Sequence, residues 1–177
     1  MLCAAMALIG PVALPPVTGV DGRTHRLLAD ANGRPSVVIF ISHDCPICNT
    51  YAPELGRIAR QYAKSASVDL IYEDPILSRA QAESHAKAYG LTDANLFLDP
   101  AGKLATACHA TVTPEAVVFS SKGQTTYLGR IDDLFYNLGK QRNAATRHDL
   151  RAAIDATIEG EPPVKPGGPA VGCAIEY

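Results

Sequence analysis

Cys45 and Cys48, with Pro46 and Ile47 between them, are the two residues of this chain best suited to covalent chemistry. In a helix a separation of three puts both thiols on one side and within bonding reach, so the pair can form a disulfide. Cys45 falls at a helix start. Unpaired backbone amides and the helix dipole stabilise an anion there, which predicts a lowered pKa and partial thiolate character. Pro46 suits the first turn, where its missing donor costs nothing. Cys48, one turn further in, should attack a mixed disulfide formed at Cys45, release the reduced product and close the internal disulfide. His43 and Asp44 flank the nucleophile and act in opposite directions: a protonated His43 lowers the Cys45 pKa and Asp44 raises it. Two other readings compete. The pair could be half of a zinc site completed by Cys108 and His109, although structural zinc sites usually bring two spaced pairs. It could also be two core cysteines, but a turn from strand to helix hides thiols poorly.

The elements around the pair are legible. Val37-Val38-Ile39-Phe40-Ile41 is a continuous apolar, β-branched run preceded by Gly33 and Pro35, which predicts a central strand buried on both faces. The chain turns at Ser42-His43-Asp44 into a helix with Tyr51, Leu55, Ile58 and Tyr62 at helical spacing. Val68 to Tyr72 is a second strand. Ser78 and Gln81 form a capping box for a helix that ends at Gly90, and Asn95 to Asp99 is a third strand. An alanine-rich turn or short helix spans Lys103 to Ala110. Glu115 to Ser120 and Thr125 to Arg130 flank the Lys122-Gly123 turn as an edge hairpin. The last helix is expected to start near Thr146, with Asp149 in the reciprocal capping position, Leu150, Ile154 and Ile158 on one face, and Gly160 as its stop. Upstream, Asp21-Gly22 predicts a hairpin between residues 17 and 27. The result is an α/β fold with a mixed sheet.

With 177 residues, 47% of them hydrophobic and 19% charged, the chain can bury one core. A net charge of −2 with signs interspersed gives no electrostatic footprint for nucleic acid. Five cysteines are too few for a disulfide-stapled scaffold. The uncharged run Met1 to Leu14 is too short to span a bilayer and suits the apolar part of an export signal, although a basic start and a clear cleavage site are missing. Residues 1–16 are therefore expected to be a signal or an N-terminal arm, and the protein to be periplasmic or otherwise exported. Cys3 is given no role.

The strand at 37–41, the Cys45 to Cys48 pair at the next helix start and Pro53 five residues beyond resemble the thioredoxin pattern. Thr113-Pro114, directly before a strand, matches the family's cis-proline, which faces the cysteine pair and holds substrate backbone; cis bonds belong almost wholly to X-Pro. The helix and strand inserted between Ser78 and Asp99 resemble the redoxin branch, which includes cytochrome-maturation thioredoxins and peroxiredoxin-like proteins. The resemblance covers roughly residues 19–160. It implies a thioredoxin fold with an inserted β-α unit and an N-terminal hairpin, in a domain of residues 17–160, with Cys45, Cys48, Thr113 and Pro114 as the catalytic residues. The implied function is thiol-disulfide exchange with protein thiols and disulfides, fed by an upstream redox partner on the membrane side, without a cofactor or a resident metal.

The departures from that pattern keep alternatives open. Asp44 replaces the usual aromatic residue before the first cysteine, and Ile39 stands where thioredoxins bury an acid. Glu73 or Asp74 could supply that proton relay, although a solvated loop acid is the expected reading. Ser42 matches a peroxiredoxin hydroxyl three residues before the cysteine, but the upstream proline of that motif is Val38, which weakens a thiol peroxidase reading. A Sco-like copper chaperone would use the cysteine pair and a distant histidine, and soft thiolates suit copper. His109 does not sit in the corresponding hairpin, so copper is not favoured. Cys108 and His109 are expected to be a core thiol beside a surface histidine. His25, His85 and His148 are expected in solvated or hydrogen-bonded roles.

The segment 161–177 is rich in proline and glycine and should be an extended tail without regular structure. Cys173 near its end is expected first as a mobile terminal thiol. Val171, Ala174, Ile175 and Tyr177 are more apolar than a solvated tail needs. Thirteen residues separate Gly160 from Cys173, enough at about 3 Å each to cross a small domain. That arithmetic allows docking near Cys45 or Cys108, with Cys173 as an added resolving thiol or ligand.

Overall fold

The computed structural model describes residues 12–175. In chain order the elements are β1 (Val17–Gly19), β2 (Thr24–His25), α1 (Leu27–Asp30), β3 (Ser36–Ile41), α2 (Pro46–Tyr62), β4 (Ser67–Tyr72), α3 (Arg79–Tyr89) and β5 (Asn95–Leu98). Then follow α4 (Lys103–Cys108), β6 (Val112–Thr113), β7 (Glu115–Phe119), β8 (Thr125–Gly129), β9 (Phe135–Asn137), β10 (Lys140–Gln141), α5 (Asp149–Glu159) and β11 (Cys173–Ala174). Seven strands form one sheet in the order β2-β1-β5-β4-β3-β7-β8. β3, β4 and β5 run parallel, while β7 is antiparallel to β3 and β8 to β7. The expected mixed sheet is present, and the hairpin β1-β2 extends it by pairing antiparallel with β5.

Alternation along β3 divides the core. Val37, Ile39 and Ile41 face a cluster that holds Cys45, Cys48, Tyr51, Leu55 and Ile58 of the α2 side together with Leu150 and Ile154 of α5. Val38 and Phe40 face the other cluster, with Leu104, Ala105 and Cys108 of α4 and Phe119 of β7. Residues buried on both faces explain why β3 reads as an unbroken apolar run rather than an alternating one. Pro53 lies inside α2, and Ser78 and Gln81 form the reciprocal capping box of α3, which ends at Gly90 in the left-handed conformation. A side chain at Gly56 would come within 2.6 Å of the Gly90 carbonyl, so glycine lets α2 approach the end of α3.

Three expectations are corrected. α5 begins at Asp149 with His148 as an uncapped N-terminal residue, because the Asp149 carboxylate is taken by Arg130 at 2.7 Å and Arg147 at 3.0 Å instead of closing a capping box. Ile158 is 39% exposed and leaves the apolar face shared by Leu150 and Ile154. The tail is not free of regular structure: β11 pairs antiparallel with β6, with Cys173 opposite Thr113 and Ala174 opposite Val112. No helix among the described residues is long and apolar enough to cross a membrane. Residues 1–11, with most of the expected export signal and Cys3, and Tyr177 lie outside the described residues.

Candidate functional site

Cys45 is the residue immediately before α2, in extended conformation, and its carbonyl accepts the first helical hydrogen bond from Asn49 at 3.0 Å. Pro46 occupies the first turn and Cys48 lies one turn inside. Both sulfurs belong to buried residues. The Cys45 sulfur lies 3.4 Å from the Thr113 carbonyl oxygen, and the Thr113–Pro114 peptide is cis, as the resemblance implies. The sheet order explains this meeting. β3 delivers Cys45 at its C-terminal end, and antiparallel β7 beside it must start at the same end, so the residues entering β7 face the start of α2.

The thiols are electrostatically unequal. The Cys45 pKa is lowered to about 4, first by the Cys48 thiol donating to its sulfur and further by the Cys173 thiol, with burial acting in opposition. Burial, then the hydrogen bond to Cys45 and its charge, push Cys48 well above the ordinary thiol value. A thiolate at Cys45 served by a protonated thiol at Cys48 is the division of labour that the helix position predicts.

Residues 42–44 are pinned to the end of β4. The Ser42 hydroxyl, with one proton to donate, bridges Asp44 at 2.5 Å and Asp74 at 2.7 Å, and the His43 backbone amide donates to Asp74 at 3.0 Å. The His43 ring approaches the same carboxylate at 3.1 Å in an ion-pair geometry without hydrogen-bond alignment. Asp74 is thus a buried anchor of the turn and not a solvated loop acid. Glu73 also departs from the solvated reading. Burial first, with Asp99 and Asp74 nearby, raises its pKa to about 9, and one of its carboxyl oxygens is buried without a partner. Its neighbours Asp99 and Cys108 belong to the face of the sheet opposite the cysteine pair, and burial, Asp99 and Glu73 push Cys108 to about 12. Cys108 is therefore a core thiol, and His109 beside it is exposed.

Sequence reasoning missed Asn49 and His85 as supports of this site. Asn49 donates to the His43 carbonyl at 3.2 Å and accepts from His85 Nε2 at 2.9 Å. His85 Nδ1 accepts from the Tyr72 hydroxyl at 2.9 Å, and burial first, then His43, lower the His85 pKa, as suits a neutral ring with that tautomer. The available signal was spacing, since Asn49 is one turn after Cys45 on α2. The ligand atoms of His43, Asp44 and Asp74 converge within 4.8 Å, a set without a thiolate.

A largely apolar groove of about 380 Å³ opens beside the pair, lined by Pro46, Ile47, Thr50, Phe135, Gly139, Gln141 and Cys173. The hairpin β9-β10 forms its far wall, with Tyr136 and Leu138 exposed nearby. No pattern in the sequence marks this hairpin in advance.

A family model described as the AhpC/TSA family matches residues 12–128. No curated protein matches the chain. Among solved structures, a hypothetical protein from Sinorhizobium meliloti 1021 is similar at 26% identity and a TM-score of 0.81, covering 95% of this chain and 93% of its own. An uncharacterized conserved protein from Geobacillus kaustophilus is similar at 29% identity and a TM-score of 0.77, covering 95% and 91%. A secreted Mycobacterium tuberculosis disulfide oxidoreductase homologous to E. coli DsbE aligns at 19% identity and a TM-score of 0.60, over 81% of this chain and 96% of its own, a likeness of fold.

Proposed function

The chain belongs to the AhpC/TSA family, with a thioredoxin fold and the oxidoreductase character of thioredoxin-like redoxins, and from that premise we propose that it exchanges disulfides with protein thiols through Cys45 and Cys48. The observation that carries the reading is the geometry, with Cys45 immediately before α2, its sulfur beside Thr113 and cis Pro114, and Cys48 one turn inside; in that setting the Cys45 pKa is lowered and the Cys48 pKa raised. In the forward step the Cys45 thiolate attacks one sulfur of a client disulfide, forming the Cys45–client bond and expelling the other client sulfur as thiolate. Cys48 loses its proton and attacks Cys45, closing Cys45–Cys48 and expelling the second client thiolate. The two client sulfurs take up two protons, one from Cys48 and one from solvent, because Cys45 enters as a thiolate. A dithiol partner upstream restores the pair by the same exchange.

The apolar groove beside Cys45 supports an unfolded or extended protein client rather than a small polar peroxide. Ser42, the residue a peroxidase reading needs, spends its hydroxyl on Asp44 and Asp74. An exported location agrees with the apolar start of the sequence and remains part of this proposal. Reduction of insulin disulfides by the protein with dithiothreitol as electron source tests the reading. Turnover should vanish in Cys45→Ser and fall sharply in Cys48→Ser, which lacks the thiol that closes the pair. Peroxide consumption that outpaces disulfide exchange would overturn the assignment.

A further inference from the structure

The terminal segment is built into the domain. The Gly167 amide donates to Asp149 at 3.1 Å, Val164 and Val171 pack on the core cluster that contains the cysteine pair, and Ile175 is buried in the opposite cluster. The Ile175 amide donates to the Thr111 carbonyl at 3.0 Å, so residues 173–175 lay a strand along Thr111, Val112 and Thr113. Gly172 is required for this approach: a Cβ there would lie 2.1 Å from the Thr113 carbonyl oxygen, which is backbone and cannot move aside cheaply. Cys173 consequently faces Cys45, and their sulfurs are 2.6 Å apart, inside non-bonded contact and a short step from the roughly 2.05 Å of a disulfide.

We infer that Cys173 is a third redox thiol and that β11 is a built-in strand client, so that Cys45 exchanges its disulfide between Cys48 and Cys173. The inference rests on the assignment of Cys45 as the attacking thiol. An extended segment hydrogen-bonded to a strand edge is a general mode of peptide recognition, with main-chain bonds for affinity and side chains for register. Here the register sets a thiol against the nucleophile.

The chemistry balances with any client disulfide as oxidant. Cys45 thiolate attacks the disulfide and expels one thiolate; Cys173 loses a proton and attacks Cys45, forming Cys45–Cys173 and expelling the second. One disulfide is reduced to two thiols while two protein thiols become a disulfide. Cys48 then attacks Cys45, forming Cys45–Cys48 and returning Cys173 as a thiol with the proton that Cys48 gives up. Free Cys173 has its pKa raised to about 12 by burial first, then by the hydrogen bond to Cys45 and the charges of Cys45 and Asp44. Once Cys45 is bonded its charge is gone, and Cys173 ionises more readily when it is needed.

Glutathione disulfide is the probe. Cys48→Ser treated with it, acid-quenched and mapped by mass, should contain a Cys45–Cys173 disulfide and no retained glutathione. Cys48→Ser/Cys173→Ser should hold one glutathione on Cys45. A Cys48→Ser protein that keeps glutathione on Cys45 while Cys173 stays freely alkylatable overturns the role of Cys173 alone. A double variant that takes no glutathione at Cys45 overturns the assignment of the nucleophile and the relay with it. Wild-type protein oxidised with less than one equivalent gives an independent reading that needs no variant: both Cys45–Cys48 and Cys45–Cys173 should be recovered, and recovery of Cys45–Cys48 alone also overturns the relay.

Discussion

At the residue scale the decisive quantity is the charge on one sulfur. The Cys45 pKa is lowered to about 4 by the thiols of Cys48 and Cys173 around it, against burial. For an ordinary thiol, alkylation rises about tenfold per pH unit below its pKa of ~8.5. Cys45 should instead show a flat profile from pH 5 to pH 8, with a decline only as pH approaches 4, measured by iodoacetamide labelling of the reduced protein and peptide mapping. Cys48 should stay unmodified over that range. The same shift links to stability. Because the folded value lies below the unfolded one, Cys45 stabilises the reduced fold fully above the unfolded thiol pKa, and that contribution is lost as pH falls toward 4. Glu73 has the opposite sign. Its folded pKa is raised to about 9, so the fold favours the protonated acid, and stability is lost as pH rises from the unfolded value of ~4.3 toward 9. Glu73→Gln should therefore match the parent protein near pH 4 and exceed it at pH 8 by about 1–3 kcal/mol, allowing for its partial exposure, in denaturant titrations.

At the element scale, β11 is the piece whose removal tells most. Only two residue pairs bind it to β6, and Gly172 supplies the clearance that makes them. Gly172→Val places carbon against the Thr113 carbonyl and should lift the strand. The expected cost is up to about 2 kcal/mol, limited by the release of the segment from its place. The more telling readout is faster alkylation of Cys45, which is buried while the strand is seated. An unchanged labelling rate in a folded Gly172→Val protein would mean that β11 does not cover Cys45.

On the scale of the whole molecule, Asp149 ties three parts together. Its carboxylate holds Arg130 after β8, Arg147 before α5 and the Gly167 amide of the tail, and despite burial, which acts upward, these partners keep its pKa below the ordinary value. Asp149→Asn leaves Arg130 and Arg147 without their counter-charge and loosens the tail at once. A loss of about 3–5 kcal/mol is expected from a thermal or denaturant melt, since breaking one side of a buried pair strands the other. The same variant should increase Cys45 labelling, because the tail anchor and the tail strand are one continuous segment. Acid should act on the same joint: a carboxylate with a depressed pKa contributes above its unfolded value and is lost as pH falls through its folded one.

Much of the site was determined by sequence alone. The apolar run of β3, the turn at 42–44 and the spacing of Cys45, Pro46 and Cys48 are local patterns, and local patterns fix which element carries which thiol. Pro114 before β7 was legible for the same reason. The tertiary structure decided what lies opposite those residues. Asp74 and Glu73 follow β4 side by side, yet one turns toward Ser42 and His43 and the other toward Asp99, and only the packing of the two sheet faces separates them. Asp149 was read as a cap because the chain cannot announce that Arg130, nineteen residues earlier, will claim it. Cys173 is the largest case. Composition predicted an extended tail, which it is over most of its length, but an extended segment acquires a structure from the edge it meets, and pairing with β6 set the Cys173 sulfur against that of Cys45, 128 residues earlier in the chain.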